Sequence, residues 1–291
     1  MVKAPMTLDE CIQKMRLILA GAGVENPALD TRILVRLGGS FSDMDMITKG
    51  QTPLSNELIE KIEKMVLRRA AGEPVSRILG GREFWGRFFK VTADTLDPRA
   101  DTETLVAAAL KRARDMGDRP LKILDLGTGT GCILISLLAE LPNATGVGVD
   151  RNAGAIAVSC ENAVDAGVAK RVDFRLGDWF SALKDAEMFD IVVANPPYIP
   201  ESDVESLAKE VRNHDPLMAL SPGKTGLEAY KIILKDLKKH LVCGGYALFE
   251  IGAGQEKDVV RLVDDSGLYV GDSYADLGGI LRVVEMYCGE K

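Results

Sequence analysis

The sequence predicts an α/β protein: a doubly wound, seven-stranded sheet preceded by a small all-α unit and a β-hairpin. Three observations support this. Residues 1–75 carry only helical periodicity, short apolar strands alternate with helical spacers from about residue 100, and a glycine-rich turn joins the first of those strands to the next helix. The 291 residues are 46% hydrophobic and 27% charged, an ordinary globular balance with room for one large and one small domain.

In the first segment, "TLDE" forms a capping box between Thr7 and Glu10, and Ile12, Met15, Ile18 and Leu19 follow at helical spacing. A second helix carries Leu29, Ile33, Leu34 and Leu37 and stops at Gly38-Gly39. A third starts at Ser55, repeats Leu58, Ile62, Met65 and Val66, and ends at Gly72 with Pro74 beyond. Residues 76–99, with "ILGGREFWGRFFKVT", change to glycines, aromatics and alternation, and are expected to form a linking hairpin. Residues 100–291 form the second domain. A helix over Thr102–Met116 precedes strands at "LKILDLG", "TGVGVD", "VDFRLGD", "FDIVVAN", "YALFEIG", "YVGDSYAD" and "LRVVEMYC". The last two have no room for a helix between them and are expected to pair antiparallel at one edge.

Bulk properties narrow the function. No apolar run approaches the ~18 residues of a membrane span. The start, "MVKAPMTLDECIQKM", has no secretory core, and its acidic residues speak against a transit peptide. Five scattered cysteines without a C-x-x-C pair, and only two histidines, predict a reduced cytoplasmic protein without a metal site. A monomer is expected. The net charge of −7 excludes a generally basic nucleic-acid coat, although Lys61–Lys90 holds eight basic residues against three acids. Such a stretch is usually a solvated helix face; its alternative is a docking surface for an anionic partner such as RNA.

"LDLGTGTGCILISLL" places Gly127, Gly129 and Gly131 between strand and helix, where glycine lets backbone approach a ligand. The dinucleotide fingerprint G-x-G-x-x-G/A fails, because its third position falls on Cys132 or Leu134. Asp150 ends the next strand at the distance expected of a carboxylate that binds ribose hydroxyls. Asp125 ends the first strand of the sheet, where it can face a ligand's cation. The layout suits S-adenosylmethionine, whose carboxylate fits the helix start after Gly131 and whose ammonium fits Asp125. In "GDWF", Asp178 can accept from an adenine amino group, and Trp179 offers a flat apolar wall.

"DIVVANPPYIP" is the most specific stretch. Two prolines end the strand, placing Asn195, Pro196, Pro197 and Tyr198 at the carboxyl edge of the sheet. The task this suits is methylation of a planar nitrogen. An amide or aromatic NH₂ is a poor nucleophile because its lone pair is delocalised. The Asn195 side-chain oxygen and the Pro196 carbonyl can accept its two N–H groups, while Tyr198 covers the plane. Catalysis would then rest on positioning and oriented acceptors instead of a tuned base. A glutamine amide and adenine's amino group pose the same local problem.

The chain resembles the peptide chain release factor glutamine methyltransferases. The matching stretches run in order between residues 76 and 255: "GREFWGRFFKVTADTLDPRADTE", "ILDLGTGTGCILISLL", "GVGVDRN", "GDWF", "FDIVVANPPYI", "EVRNHDP", "GLEAYKIIL" and "FEIGAGQ". The resemblance implies a methyltransferase fold and, as substrate, the glutamine of the Gly-Gly-Gln tripeptide in class I release factors. It puts cofactor contacts on Gly127, Thr128, Gly129, Thr130, Gly131, Asp150, Trp179 and Asn195, and substrate contacts on Asn195, Pro196, Pro197 and Tyr198. It also implies that the helical unit and hairpin grip the release factor. Three positions depart from the family pattern: Asp97 replaces an apolar residue, Ala100 a proline and Asp215 a glutamate. Methylation of a ribosomal-protein glutamine, N6-adenine methylation of DNA or RNA, and a non-catalytic binding module that keeps the fold, against which the intact Asn195 and Tyr198 speak, are the alternative readings. The adenine reading calls for base extrusion or a single-stranded target, and for phosphate contacts.

Overall fold

Helical caps and alternating strand faces, read along the chain, sort it into two units in the computed structural model, which describes residues 5–289. Residues 1–4 and 290–291, the extremities of the first and last predicted segments, lie outside the described residues. One unit reaches Gly81 and includes Lys209–His214; the other comprises Arg82–Ala208 and the chain from Asp215 onward.

The helical unit contains α1 (Leu8–Gly21), α2 (Pro27–Gly38), α3 (Asp43–Thr48), α4 (Asn56–Ala70) and α5 (Val75–Leu79). The Thr7 hydroxyl accepts the Glu10 N–H at 3.3 Å, and the Glu10 carboxylate accepts the Thr7 N–H at 2.8 Å, closing the predicted capping box. Leu8, Met15, Leu19, Leu34, Ile62 and Val66 meet in one core. Two helices were not expected. α3 buries no residue, so periodicity cannot reveal it; its signal is the Ser42–Asp45 cap. α5 starts after Pro74 and stops at Gly80, whose φ of 72° is left-handed. It occupies the first part of the expected hairpin segment.

The basic stretch is not one free face. Arg69 is buried between the carboxylates of Asp30 at 2.6 Å and Glu210 at 2.5 Å, the latter on Lys209–His214 of the same unit. Arg68 pairs with Glu73, and Lys90 with Glu161 and Asp165.

The hairpin is β1 (Gly81–Phe84) and β2 (Arg87–Lys90). Trp85 and Gly86 turn it with φ of 49° and 68°, the double left-handed geometry that suits a two-residue hairpin loop. There follow α6 (Glu103–Asp115), β3 (Lys122–Leu126), α7 (Cys132–Glu140), β4 (Thr145–Asp150), α8 (Ala153–Asp165), β5 (Val172–Leu176) and β6 (Phe189–Ala194). The chain continues through α9 (Lys209–His214), α10 (Leu217–Leu220), α11 (Glu228–Leu237), β7 (Leu241–Glu250), α12 (Glu256–Asp265), β8 (Tyr269–Ala275) and β9 (Leu281–Tyr287).

The seven strands β3 to β9 are ordered β5-β4-β3-β6-β7-β9-β8. β9 runs antiparallel to both β7 and β8, the edge pairing expected from their short connection. All six residues of β6 are buried, because helices cover both faces of the sheet. Its alternate residues serve two cores: Ile191 and Val193 join Leu134, Ile135 and Leu248, whereas Val192 and Ala194 join Tyr230 and Phe249. Among the described residues no helix is long and apolar enough to cross a membrane.

Strand order positions the site. β3, β4 and β5 step outward in one direction, and β6 returns to the other side of β3, with Leu126 opposite Ala194. The carboxyl ends of β3 and β6 therefore flank the crevice where an open α/β sheet binds ligands.

Candidate active site

Gly127, Gly129 and Gly131 all take left-handed φ, at 74°, 55° and 78°. Gly131 is needed twice over: it caps α7 in that conformation, and a Cβ there would come within 2.8 Å of the Ile135 side chain. The Asp150 carboxylate ties the loop to the end of β4, accepting the Gly129 N–H on Oδ2 at 2.9 Å and the Asn152 N–H on Oδ1 at 2.9 Å. Burial raises its pKa, opposed by these backbone donors.

A cavity of about 330 Å³ opens beside this loop. Gly127, Thr128, Gly129, Thr130, Asp150, Asp178, Trp179, Asn195 and Pro197 of the predicted site line it, together with Asp94–Arg99, Thr102 and residues of the 216–222 segment. Trp179 is held at φ 50°, unusual for a bulky side chain, and its ring lies 3.7 Å from where a Gly127 Cβ would stand. The Asp178 N–H is bound by the Ser181 hydroxyl at 2.8 Å.

Four predicted residues do not reach the cavity wall: Asp125, Gly131, Pro196 and Tyr198. Asp125 is wholly buried beneath the loop and accepts from the Thr128 hydroxyl at 2.6 Å. It does not itself line the cavity, whereas Thr128 does, and its Oδ1 has no hydrogen-bond partner. Burial pushes its carboxyl up to about 7, with the Thr128 hydroxyl pulling the other way and Asp150 adding to the rise. The Tyr198 hydroxyl donates to Glu250 Oε1 at 3.4 Å, and the Tyr198 carbonyl accepts the Gln255 amide at 2.9 Å. The phenol stays neutral, its pKa raised by burial and by the Glu250 charge.

Sequence reasoning missed the partners of Asn195. Its Nδ2 donates to the Thr102 hydroxyl at 3.2 Å. Thr102, 2% exposed, ends a 3₁₀ turn (Ala100–Thr102) that leads into α6. Beneath both lies Glu250, 1% exposed, at the end of β7. The only sequence signal for it was an acid closing an apolar strand in "FEIG". At the cavity's other side Arg99 pairs with Asp215 at 2.6 Å, so two segments that depart from the family pattern are joined. Asp97 is buried in the same wall.

S-adenosylmethionine brings a ribose diol, a purine, a carboxylate and an ammonium. Each Asp150 oxygen keeps a lone pair beyond its backbone bond, Trp179 supplies a flat apolar wall, and the glycine loop brings bare backbone to the cavity. The residues present fit that group.

Residues 118–238 match the family model described as a methyltransferase domain, and residues 10–80 match that of the PrmC N-terminal domain. Fold, glycine loop and the Asn-Pro-Pro-Tyr turn together define an S-adenosylmethionine-dependent methyltransferase. Release factor glutamine methyltransferase of Cereibacter sphaeroides is 44% identical over 91% of this chain and 93% of its own. That of Rhodospirillum rubrum is 42% identical (89% and 78%), and that of Geobacter sulfurreducens 38% identical (96% and 95%). The chain belongs to the release factor glutamine methyltransferase family. Among solved structures, the hMettl16 catalytic domain in complex with the MAT2A 3′UTR hairpin 1 superposes with a TM-score of 0.55 at 16% identity, over 87% of this chain and 90% of that one. Ribosomal protein L11 methylase of Lactobacillus delbrueckii subsp. bulgaricus gives 0.50 at 18% identity (67% and 83%). At these identities the likeness shows the fold alone.

Proposed function

We propose that this protein methylates the side-chain amide nitrogen of the Gly-Gly-Gln glutamine in class I peptide chain release factors. The observation that carries the reading is the register of Leu126 with Ala194, which brings the Asn-Pro-Pro-Tyr turn and the glycine loop to one crevice. Family membership supports the choice of a release factor over other carriers of a planar NH₂.

S-adenosylmethionine, when bound, supplies an electrophilic methyl group. Gly127–Thr130, Asp150, Asp178 and Trp179 would hold it. Asn195 has its Nδ2 engaged by Thr102, which leaves Oδ1 as the acceptor it can offer the substrate. The Pro196 carbonyl, on a residue that does not itself line the cavity, is the second acceptor, and Pro197 restricts the ψ that aims it. Tyr198 and Pro197 complete the substrate site. Asp125 serves by holding Thr128, and through it the loop.

The helical unit and hairpin recognise the release factor, and the enzyme acts in the cytoplasm as a monomer.

The test is methyl labelling from S-adenosylmethionine of a purified release factor, its Gln→Ala variant at Gly-Gly-Gln, a ribosomal-protein mixture and single-stranded nucleic acid. Label confined to the unmodified release factor is expected. Label that survives the Gln→Ala change, or that enters either of the other two acceptors instead, defeats the reading.

A further inference from the structure

Glu250 holds neither cofactor nor substrate in the proposed reaction, yet it sits under both working ends of the Asn-Pro-Pro-Tyr turn. Its Oε1 accepts the Tyr198 hydroxyl at 3.4 Å, and its carboxyl lies against the Thr102 hydroxyl, which in turn accepts from Asn195. Its Oε2 is buried and engaged by no other donor, so it is the oxygen left to accept from the Thr102 hydroxyl. The backbone around it is fixed, since the Tyr230 hydroxyl donates to the Glu250 carbonyl at 2.8 Å.

We propose that Glu250 is a positioning residue that acts through Thr102 to set which end of the Asn195 amide faces the substrate, and anchors Tyr198 directly. The inference rests on the methyl-transfer reading of this site. An ionised carboxylate has no proton, so Thr102 must turn its O–H toward Glu250. That leaves the Thr102 lone pair for Asn195 Nδ2. Asn195 Oδ1 is then the end left for the substrate, and the site accepts an N–H donor. Once Glu250 is protonated, it can donate to Thr102, whose proton then competes with Asn195 Nδ2. The amide loses its preferred orientation.

The direction of the pH effect follows from the groups around Glu250. Burial raises its carboxyl to about 7, and Asp101 adds to the rise; the Thr102 hydroxyl, Arg282 of β9 and Tyr198 oppose it. Arg282 is itself shared with Asp101 and Asp276, each at 2.9 Å. Cys132 also faces Glu250, and burial keeps it a neutral thiol, with pKa raised to about 12. Turnover should therefore rise with pH through about 7, as Glu250 ionises.

The experiment compares wild type, Glu250→Gln, Thr102→Val and Thr102→Ser on whichever acceptor wild type labels, measuring kcat, KM, cofactor Kd by calorimetry, and kcat from pH 5.5 to 8.5. Misorienting one acceptor should cost about 10²-fold in kcat for Glu250→Gln and Thr102→Val, with cofactor Kd within about threefold of wild type. Thr102→Ser, which keeps the hydroxyl, should stay within about threefold, and the pH dependence should flatten in Glu250→Gln. Near-wild-type kcat in both Glu250→Gln and Thr102→Val, or an unchanged pH profile in Glu250→Gln, overturns the proposal. If Glu250→Gln fails to fold, the contrast between Thr102→Val and Thr102→Ser decides alone. Failure of the methyl-transfer reading looks different: wild type itself then labels no acceptor.

Discussion

The Gly129 N–H points at Asp150 Oδ2 from 2.9 Å, so the side chain expected to hold ribose also pins the loop that faces the cofactor. Asp150→Ala removes both contributions. Hydrogen bonds to a charged group are worth about 1.5–3 kcal/mol, so the Kd for S-adenosylmethionine should weaken about 10- to 100-fold. Calorimetry on the purified variant checks this, and an unchanged Kd would remove Asp150 from the cofactor site.

Asn195→Ala should separate chemistry from binding. Losing an oriented hydrogen-bonding group at a reacting centre costs roughly 10²–10³ in rate, while cofactor Kd should stay within about tenfold of wild type. Single-turnover labelling under saturating cofactor measures the first quantity. Activity close to wild type would show that the amide does not orient the substrate.

Stability of the protein without cofactor should fall as pH rises from 5 to 8. Asp125 and Glu250 both titrate at about 7 when folded, above the ~4 of ordinary carboxyls. Their stabilising contribution is complete below the unfolded value and is lost as pH climbs through the folded one. Glu187 acts elsewhere: Arg175 holds it at about 2, so its contribution is lost only in strong acid. Urea unfolding at pH 5 and pH 8 should show a smaller difference for Asp125→Asn than for wild type. Equal differences would mean that Asp125 does not titrate in this range.

Between α6 and the penultimate strand β9, Arg112 binds Glu285 with Nε–Oε2 at 2.6 Å and Nη2–Oε1 at 2.9 Å, and Glu285 is 1% exposed. Arg112→Met leaves that carboxylate buried without its countercharge, at a cost of about 3–5 kcal/mol. Adding Glu285→Leu should recover most of the loss. Denaturant titration of wild type and the two variants tests this; a loss below about 1 kcal/mol in Arg112→Met would contradict the pair's importance.

Strands and the binding turn were legible because each is written locally. Apolar runs such as Ile191–Ala194 mark a strand covered on both faces, and Gly127, Gly129 and Gly131 mark a loop with special backbone angles. α3 escaped notice because it buries nothing, and α5 because five residues are too few to show a period. Thr102 and Glu250 were invisible for another reason. Their partners lie 93 and 52 positions away in the chain, for Asn195 with Thr102 and Tyr198 with Glu250. Sequence spacing does not encode which side chains meet across a sheet. Likewise Asp125 could be placed at a strand end from its position, but not below the loop, since depth depends on what packs above it.

The strand order carries a consequence for assembly. Thr102 precedes α6, Asn195 follows β6, and Glu250 closes β7, so the proposed site is assembled from segments far apart in the chain. These pieces converge only when parallel neighbours distant in sequence have zipped together, the slowest kind of pairing to nucleate. During refolding from denaturant, recovered ellipticity should therefore precede recovered turnover. A truncated or stalled chain would carry the glycine loop without any competence to use it.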